Sequence, residues 1–180
     1  MGIYKKIGVL TLLLGLLTPM PVLAQRGRGT LLQRFELKDQ NDKAVPFGSN
    51  FAKKVTLVVL TNYCSVELAG VWSIPVYYRF HKNPHFRFAF IFSKTCLPGF
   101  IPNGFISSSL QNAVESLKLP YILVDWDNTV TQRLGGNDKY TQLYLLDGQG
   151  VIRWQYRLKN PMASTFVLEK NIKELLHAQR

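Results

Sequence analysis

Two cysteines, Cys64 and Cys96, have the widest chemical repertoire in this chain. A thiolate attacks disulfides, reduces peroxides or binds metals, and two thiols close a bridge. Cys64 is followed by Ser65, which reads as a helix start, and N–H groups at a helix N-terminus favour a thiolate. Glu67, one turn on, opposes that thiolate. Glu67 is either a favourable first-turn acid or the acidic member of a small-molecule or metal site. His81, His85 and His177 make no convincing metal set, because Pro84 interrupts the i, i+4 spacing of the first two. Two cysteines also fall short of a four-cysteine zinc site. No metal or cofactor is therefore expected. Residues 77–87 (YYRFHKNPHFR) interleave aromatics with bases. They suit a helix end with its rings in the core, or a surface for a protein, an anionic polymer or lipid headgroups.

The elements that position these groups follow from patterning. Residues 55–60 (VTLVVL) and 86–92 (FRFAFIF) read as strands buried on both faces of a parallel sheet. Between them, residues 65–81 read as a helix kinked at Pro75. Residues 95–104 (TCLPGFIPNG) form a turn-rich loop whose Phe100 and Ile101 could cover a cysteine pocket or dock a partner. A helix over 105–117 aligns Ile106, Leu110, Val114 and Leu117 on one face. A third strand covers 121–124, and strands at 141–146 and 151–156 flank the hairpin turn Asp147-Gly148-Gln149-Gly150. A last helix carries Phe166, Ile172, Leu175 and Leu176, and residues 31–37 and 44–47 add strands at the front. The order predicts an α/β domain: a central mixed sheet, helices on both faces and an N-terminal β extension. Right-handed crossovers make strands 55–60 and 86–92 parallel neighbours. Cys64 and Cys96 then leave the same carboxyl edge, at a strand spacing of about 4.8 Å. This predicts a Cys64–Cys96 disulfide closing a loop of roughly 33 residues. A structural bridge, a slow redox switch and two separate thiols all remain open at this stage.

With 47% apolar and 18% charged residues, the 180-residue chain is neither disordered nor a disulfide-dense miniprotein. A mean hydropathy of +0.01 excludes a polytopic membrane protein. Residues 1–24 read as a signal peptide, with basic Lys5 and Lys6, an apolar run over 7–17, helix-ending Pro19 and Pro21, and Val22-Leu23-Ala24 at the cut. The apolar run is short for a bilayer span, so no stable membrane span is expected after cleavage. Residues 25–30 read as a flexible basic leader and 31–180 as one domain. Cleavage removes two lysines and no acids, taking the formal charge from +11 to +9. A periplasmic location favours cysteine pairing and argues against nucleic acid as partner. An acidic protein or an anionic envelope surface is the expected partner of the remaining charge.

Residues 31–176 resemble the thioredoxin-like superfamily. FELKDQNDKAVPF is similar to the start of redoxin and thiol-reductase domains, and VTLVVLTNYCSVEL fills the slot of a strand followed by Cys-x-x-Cys. YILVDWDNTVTQRLGG and YTQLYLLDGQGVIRW resemble the later strand, short helix and final hairpin. IPNGFISSSL, with these, also resembles the YtfJ-like periplasmic branch. The resemblance implies a thioredoxin-like fold and places Cys64 in the first-cysteine position. Two departures stand beside it. The second position holds Glu67, and a carboxylate cannot release a mixed disulfide. The proline that precedes the family's last hairpin is replaced by Thr141. These departures tip the expectation toward a non-catalytic exported interaction or structural module. The alternative is a thiol–disulfide redox protein, oxidoreductase or peroxiredoxin-like, using Cys64 with Cys96.

Overall fold

All eight residues of β3 (Val55–Asn62) are buried, as are seven of the eight in β4 (Phe86–Ser93). Their β-branched and aromatic side chains suit a pleated surface covered on both sides. In the computed structural model these two strands pair in parallel, Val55 opposite Phe86 through Asn62 opposite Ser93. Residues 29–32, 34–48, 53–136, 139–158 and 165–179 are described. The expected signal peptide and residues 25–28 of the expected leader lie outside them.

The remaining strands are β1 (Phe35–Asp39), β2 (Ala44–Phe47), β5 (Ile122–Asp125), β6 (Thr141–Leu146) and β7 (Ile152–Leu158). They complete a seven-stranded mixed sheet in the order β2-β1-β5-β4-β3-β6-β7. β5 joins β4 in parallel, while β6 lies antiparallel to β3 and β1 antiparallel to β5. At one end of the sheet β2 pairs only with β1, with Pro46 opposite Glu36.

Alternation along the strands divides the core. Phe86, Phe88, Phe90 and Phe92 of β4 join Val55, Leu57 and Val59 of β3 in one apolar cluster. Burying each such ring contributes about 1.5–3 kcal/mol. Into this cluster pack Trp72 and Val76 of α1 (Val66–Phe80), Ile106 and Leu110 of α2 (Asn103–Ser116), and Leu168 and Ile172 of α4 (Phe166–His177). The other face carries Ala89, Ile91, Val58 and Leu60 under Val130 of the short α3 (Thr129–Arg133), with Leu32 and Leu134. Helices thus stand on both faces, three on one and one on the other.

Several local details differ from the sequence expectation. The strand expected over 31–37 begins only at Phe35; Leu31 instead bridges Val151, and the Leu32 N–H bonds to the Gly150 carbonyl. Gly29 and Thr30, expected in a flexible leader, hydrogen-bond to Ile152 through Gly29 N and Thr30 O. The helix expected over 65–81 is present as α1, with the exposed Pro75 inside it, so the missing N–H is lost on the solvent side. Along α2, Ile106 and Leu110 are buried, but Leu117 lies past its end and is exposed.

Candidate functional site

The parallel register of β3 and β4 ends with Asn62 beside Ser93, so both chains leave the sheet at its carboxyl edge. After β3 the Asn62 carboxamide oxygen accepts from the Ser65 N–H and the Ser65 hydroxyl, both at 3.1 Å. This side-chain cap folds Tyr63–Ser65 into a single 3₁₀ turn ahead of α1. Cys64 is exposed in that turn. After β4 a second polar cluster fixes the chain. Ser93 Oγ and Thr95 Oγ1 lie 2.5 Å apart and donate to Asn128 Oδ1 at 2.7 and 3.0 Å. The next residue, Cys96, is exposed and adopts a left-handed φ of +74°. Cys64 and Cys96, with Cα atoms 6.0 Å apart, are joined in a disulfide.

Thr141 stands directly behind the Cys64 turn. It is fully buried at the start of β6; its hydroxyl donates to the Ser65 carbonyl at 3.1 Å and lies 2.7 Å from the Thr61 hydroxyl. Thr61 and Ser65 hydroxyls are themselves 3.1 Å apart. Thr141 therefore supports the backbone that carries Cys64. Glu67 is exposed in the first turn of α1, and its side chain forms no hydrogen bond or ion pair among the described residues. Phe100 is 85% exposed and does not cover the cysteines. Ile101 instead lines a cleft of 270 Å³ beside Cys96, with Thr95, Leu97 and Asn128.

Sequence reasoning missed the support beneath Cys96. Asp125 ends β5 opposite Ser93 and is fully buried. Its carboxyl accepts from the Thr131 N–H and hydroxyl, both at 2.6 Å, and from the Val130 N–H at 3.4 Å. Burial pushes this carboxyl above its ordinary value, against those hydrogen bonds, which favour the carboxylate. The exposed Asp127 is held below its ordinary value by the Thr129 N–H. Asn128 takes a left-handed φ of +61°, which aims its side chain toward Ser93 and Thr95. The available signal was the run Asp125-Trp126-Asp127-Asn128, rich in residues that tolerate tight turns. Thr61 was also passed over, although it stands three residues before Cys64.

Among the described residues no three His, Cys, Asp or Glu side chains gather as a metal site. No helix there is long and apolar enough to cross a membrane.

No protein-family model matches the chain, and neither does any curated protein. Solved structures do. A thiol peroxidase from Chromobacterium violaceum is 21% identical at a TM-score of 0.59, covering 82% of this chain and 87% of that one. The exposed lipoprotein thioredoxin of Streptococcus pneumoniae is 16% identical at 0.59, covering 79% and 100%. A thiol:disulfide interchange protein of the thioredoxin family from Chlorobium tepidum is 13% identical at 0.58, covering 83% and 98%. The fold is thioredoxin-like. At these identities the likeness is one of fold; the bridge here joins the segments that follow two neighbouring parallel strands.

Proposed function

We propose that this chain is an exported thiol–disulfide exchange protein whose redox pair is Cys64 and Cys96. The observation that carries the reading is the disulfide itself, set between two exposed residues at the carboxyl edge of the sheet. It supplies the partner thiol that Glu67, in the second-cysteine position, does not. This favours redox exchange over the non-catalytic module that the altered motif suggested. The names of the similar structures, a thiol peroxidase and a thiol:disulfide interchange protein, agree with it. So does the periplasmic location expected from residues 1–24, where such a pair is oxidised.

In this reading a partner thiolate attacks Cys64 Sγ, and the bridge electrons leave with Cys96 as a thiolate. The partner's second thiol then attacks the mixed disulfide and expels Cys64, whose thiolate is favoured by the N–H groups at the start of α1. The partner loses two electrons and becomes a disulfide, and the Cys64–Cys96 pair gains two electrons and two protons. Run in reverse, reduced Cys64 attacks a substrate disulfide and Cys96 resolves it. Asn62, Ser65 and Thr141 position the Cys64 turn; Ser93, Thr95 and Asn128 position Cys96.

Equilibration in glutathione buffers, read by alkylation and mass spectrometry, tests the proposal. The expected potential is more oxidising than about −300 mV, the level below which structural bridges resist the glutathione pool. Insulin reduction by the dithiol form should be lost in Cys64→Ser. A bridge that stays oxidised at that potential, or insulin reduction that survives Cys64→Ser in a folded protein, would overturn the reading.

A further inference from the structure

α1 is tied to both of the other helices on its face of the sheet. Arg79 in its last turn pairs with Glu169 of α4, and the Tyr78 hydroxyl donates to the Leu117 carbonyl just past α2 at 2.6 Å. Inward, α1 buries Ala69, Trp72, Val76 and Phe80. At about 100° per residue, Glu67, Leu68, Val71, Ile74, Pro75 and Tyr78 share the opposite sector. Val71 is 61% exposed and Tyr78 45%; Pro75 is exposed, and Leu68 and Ile74 are half-buried. A surface helix ordinarily turns charged and polar residues outward. Its neighbours do so: α2 exposes Ser108, Ser109, Gln111 and Asn112, and α4 exposes Lys170, Lys173, Glu174 and His177. α1 instead is apolar all round, its only charges being Glu67 in the first turn and Arg79 in the last.

Three features point to a second copy of this chain as the group that covers this strip. The first is area. α1 is about 22 Å long, and one helix face is too narrow for the about 800 Å² per partner of a stable complex. Residues fixed against α1 widen it: Tyr156 of β7, 38% exposed, stacks on Trp72 with ring centroids 5.9 Å apart, and Leu117 is 37% exposed. The second is the placement of charge. With two α1 helices antiparallel about a two-fold axis near Val71 and Ile74, the centre of the contact is wholly apolar. Each Glu67 then lies at the rim, toward the end that carries the partner's Arg79. Parallel helices would bring the two Glu67 carboxylates together. The third is room. Gly70, beside Val71, has no neighbour within 4 Å of where a Cβ would stand, so an incoming side chain can enter there. A two-fold axis presents the same strip to itself, apolar centre on apolar centre.

We infer that the outer face of α1 is a homodimer interface, with the two α1 helices antiparallel and Val71 and Ile74 at the two-fold axis. The interface does not depend on the redox role of Cys64 and Cys96. Analytical ultracentrifugation of the full chain, as processed by the cell, should show a reversible monomer–dimer equilibrium over a concentration series. Val71→Glu should raise the dissociation constant about a hundredfold, because each copy then buries one unpaired charge at a cost of about tenfold. Gln132→Glu, an equal charge change at an exposed position of α3 on the opposite face, should leave it unaltered. Oxidative cross-linking with the native bridge intact reads the orientation. Val71→Cys, about 5 Å along the helix from its copy, should form an intermolecular disulfide, and Glu67→Cys, about 16 Å from its copy, should not. A monomer at every concentration would give the strip to some other occupant. That result, an unaltered dissociation constant in a folded Val71→Glu, or cross-linking through Glu67→Cys in preference to Val71→Cys would overturn the inference.

Discussion

Asp125 is a fully buried carboxyl one strand away from the chain that leads to Cys96. Because burial raises it above the ordinary 3.8, the folded chain keeps this proton after the unfolded chain has released it. Its contribution to stability is therefore fully present below pH 3.8 and falls as pH rises through its raised folded value. Asp125→Asn removes that titration. Urea melts from pH 3 to 7 should show wild type losing stability relative to Asp125→Asn as pH rises through this window. A stability difference independent of pH would refute the assignment. At this scale the cysteine pair was legible, since two buried strand patterns put Cys64 and Cys96 at one edge. The hydroxyl and carboxamide clusters were not. Thr61, Ser65 and Thr141, like Ser93, Thr95 and Asn128, are joined only by the folded sheet, and each residue alone looks like ordinary turn chemistry.

Among the elements, α1 joins the Cys64 turn to the core, and it does so with a proline inside it. Pro75 leaves the Val71 carbonyl without its i+4 donor, and Pro is disfavoured inside helices by about 3 kcal/mol against Ala. Pro75→Ala should raise stability by about 1–3 kcal/mol, part of the gain being offset by greater freedom in the unfolded chain. A lower urea midpoint in Pro75→Ala would mean that the proline ring itself is needed for packing. The strands were readable where burial was two-sided, as in VTLVVL and FRFAFIF, because such runs have few alternatives. The front of the domain was less readable. Leu31 and Leu32 carry a strand-like pattern, but their backbone is used by Gly150 and Val151 of the hairpin turn, so β1 starts four residues later. The 3₁₀ turn at Tyr63–Ser65 depends on the Asn62 cap, which propensity does not report.

For the whole molecule, the bridge ties together positions 32 residues apart. In the chain-entropy account, a loop of that size stabilises the fold by about 3–4 kcal/mol. Reduction should lower the unfolding free energy read from urea melts by no more than this, and by less if Cys96 leaves its left-handed conformation, which costs a non-glycine residue about 1–2 kcal/mol. No measurable change on reduction would mean that the two loops are held wholly by their polar clusters. The molecule thus has two surfaces of different character, an exposed disulfide at the carboxyl edge and an apolar strip along α1. The fold class was legible from element order, whereas the open strip was not, because a helix apolar all round reads as a fully buried one.

The outer side of β2 has a consequence for behaviour at high concentration. The Asp39 N–H bonds to the Lys43 carbonyl, and bonded pairs alternate along an antiparallel ladder. The pair Glu36 and Pro46 is therefore unbonded, and the Pro46 nitrogen points away from the sheet. A strand arriving from another copy would find no donor there, on a strand only four residues long. Side-to-side polymerisation through β2 is thereby discouraged, by a ring that costs the existing sheet no hydrogen bond.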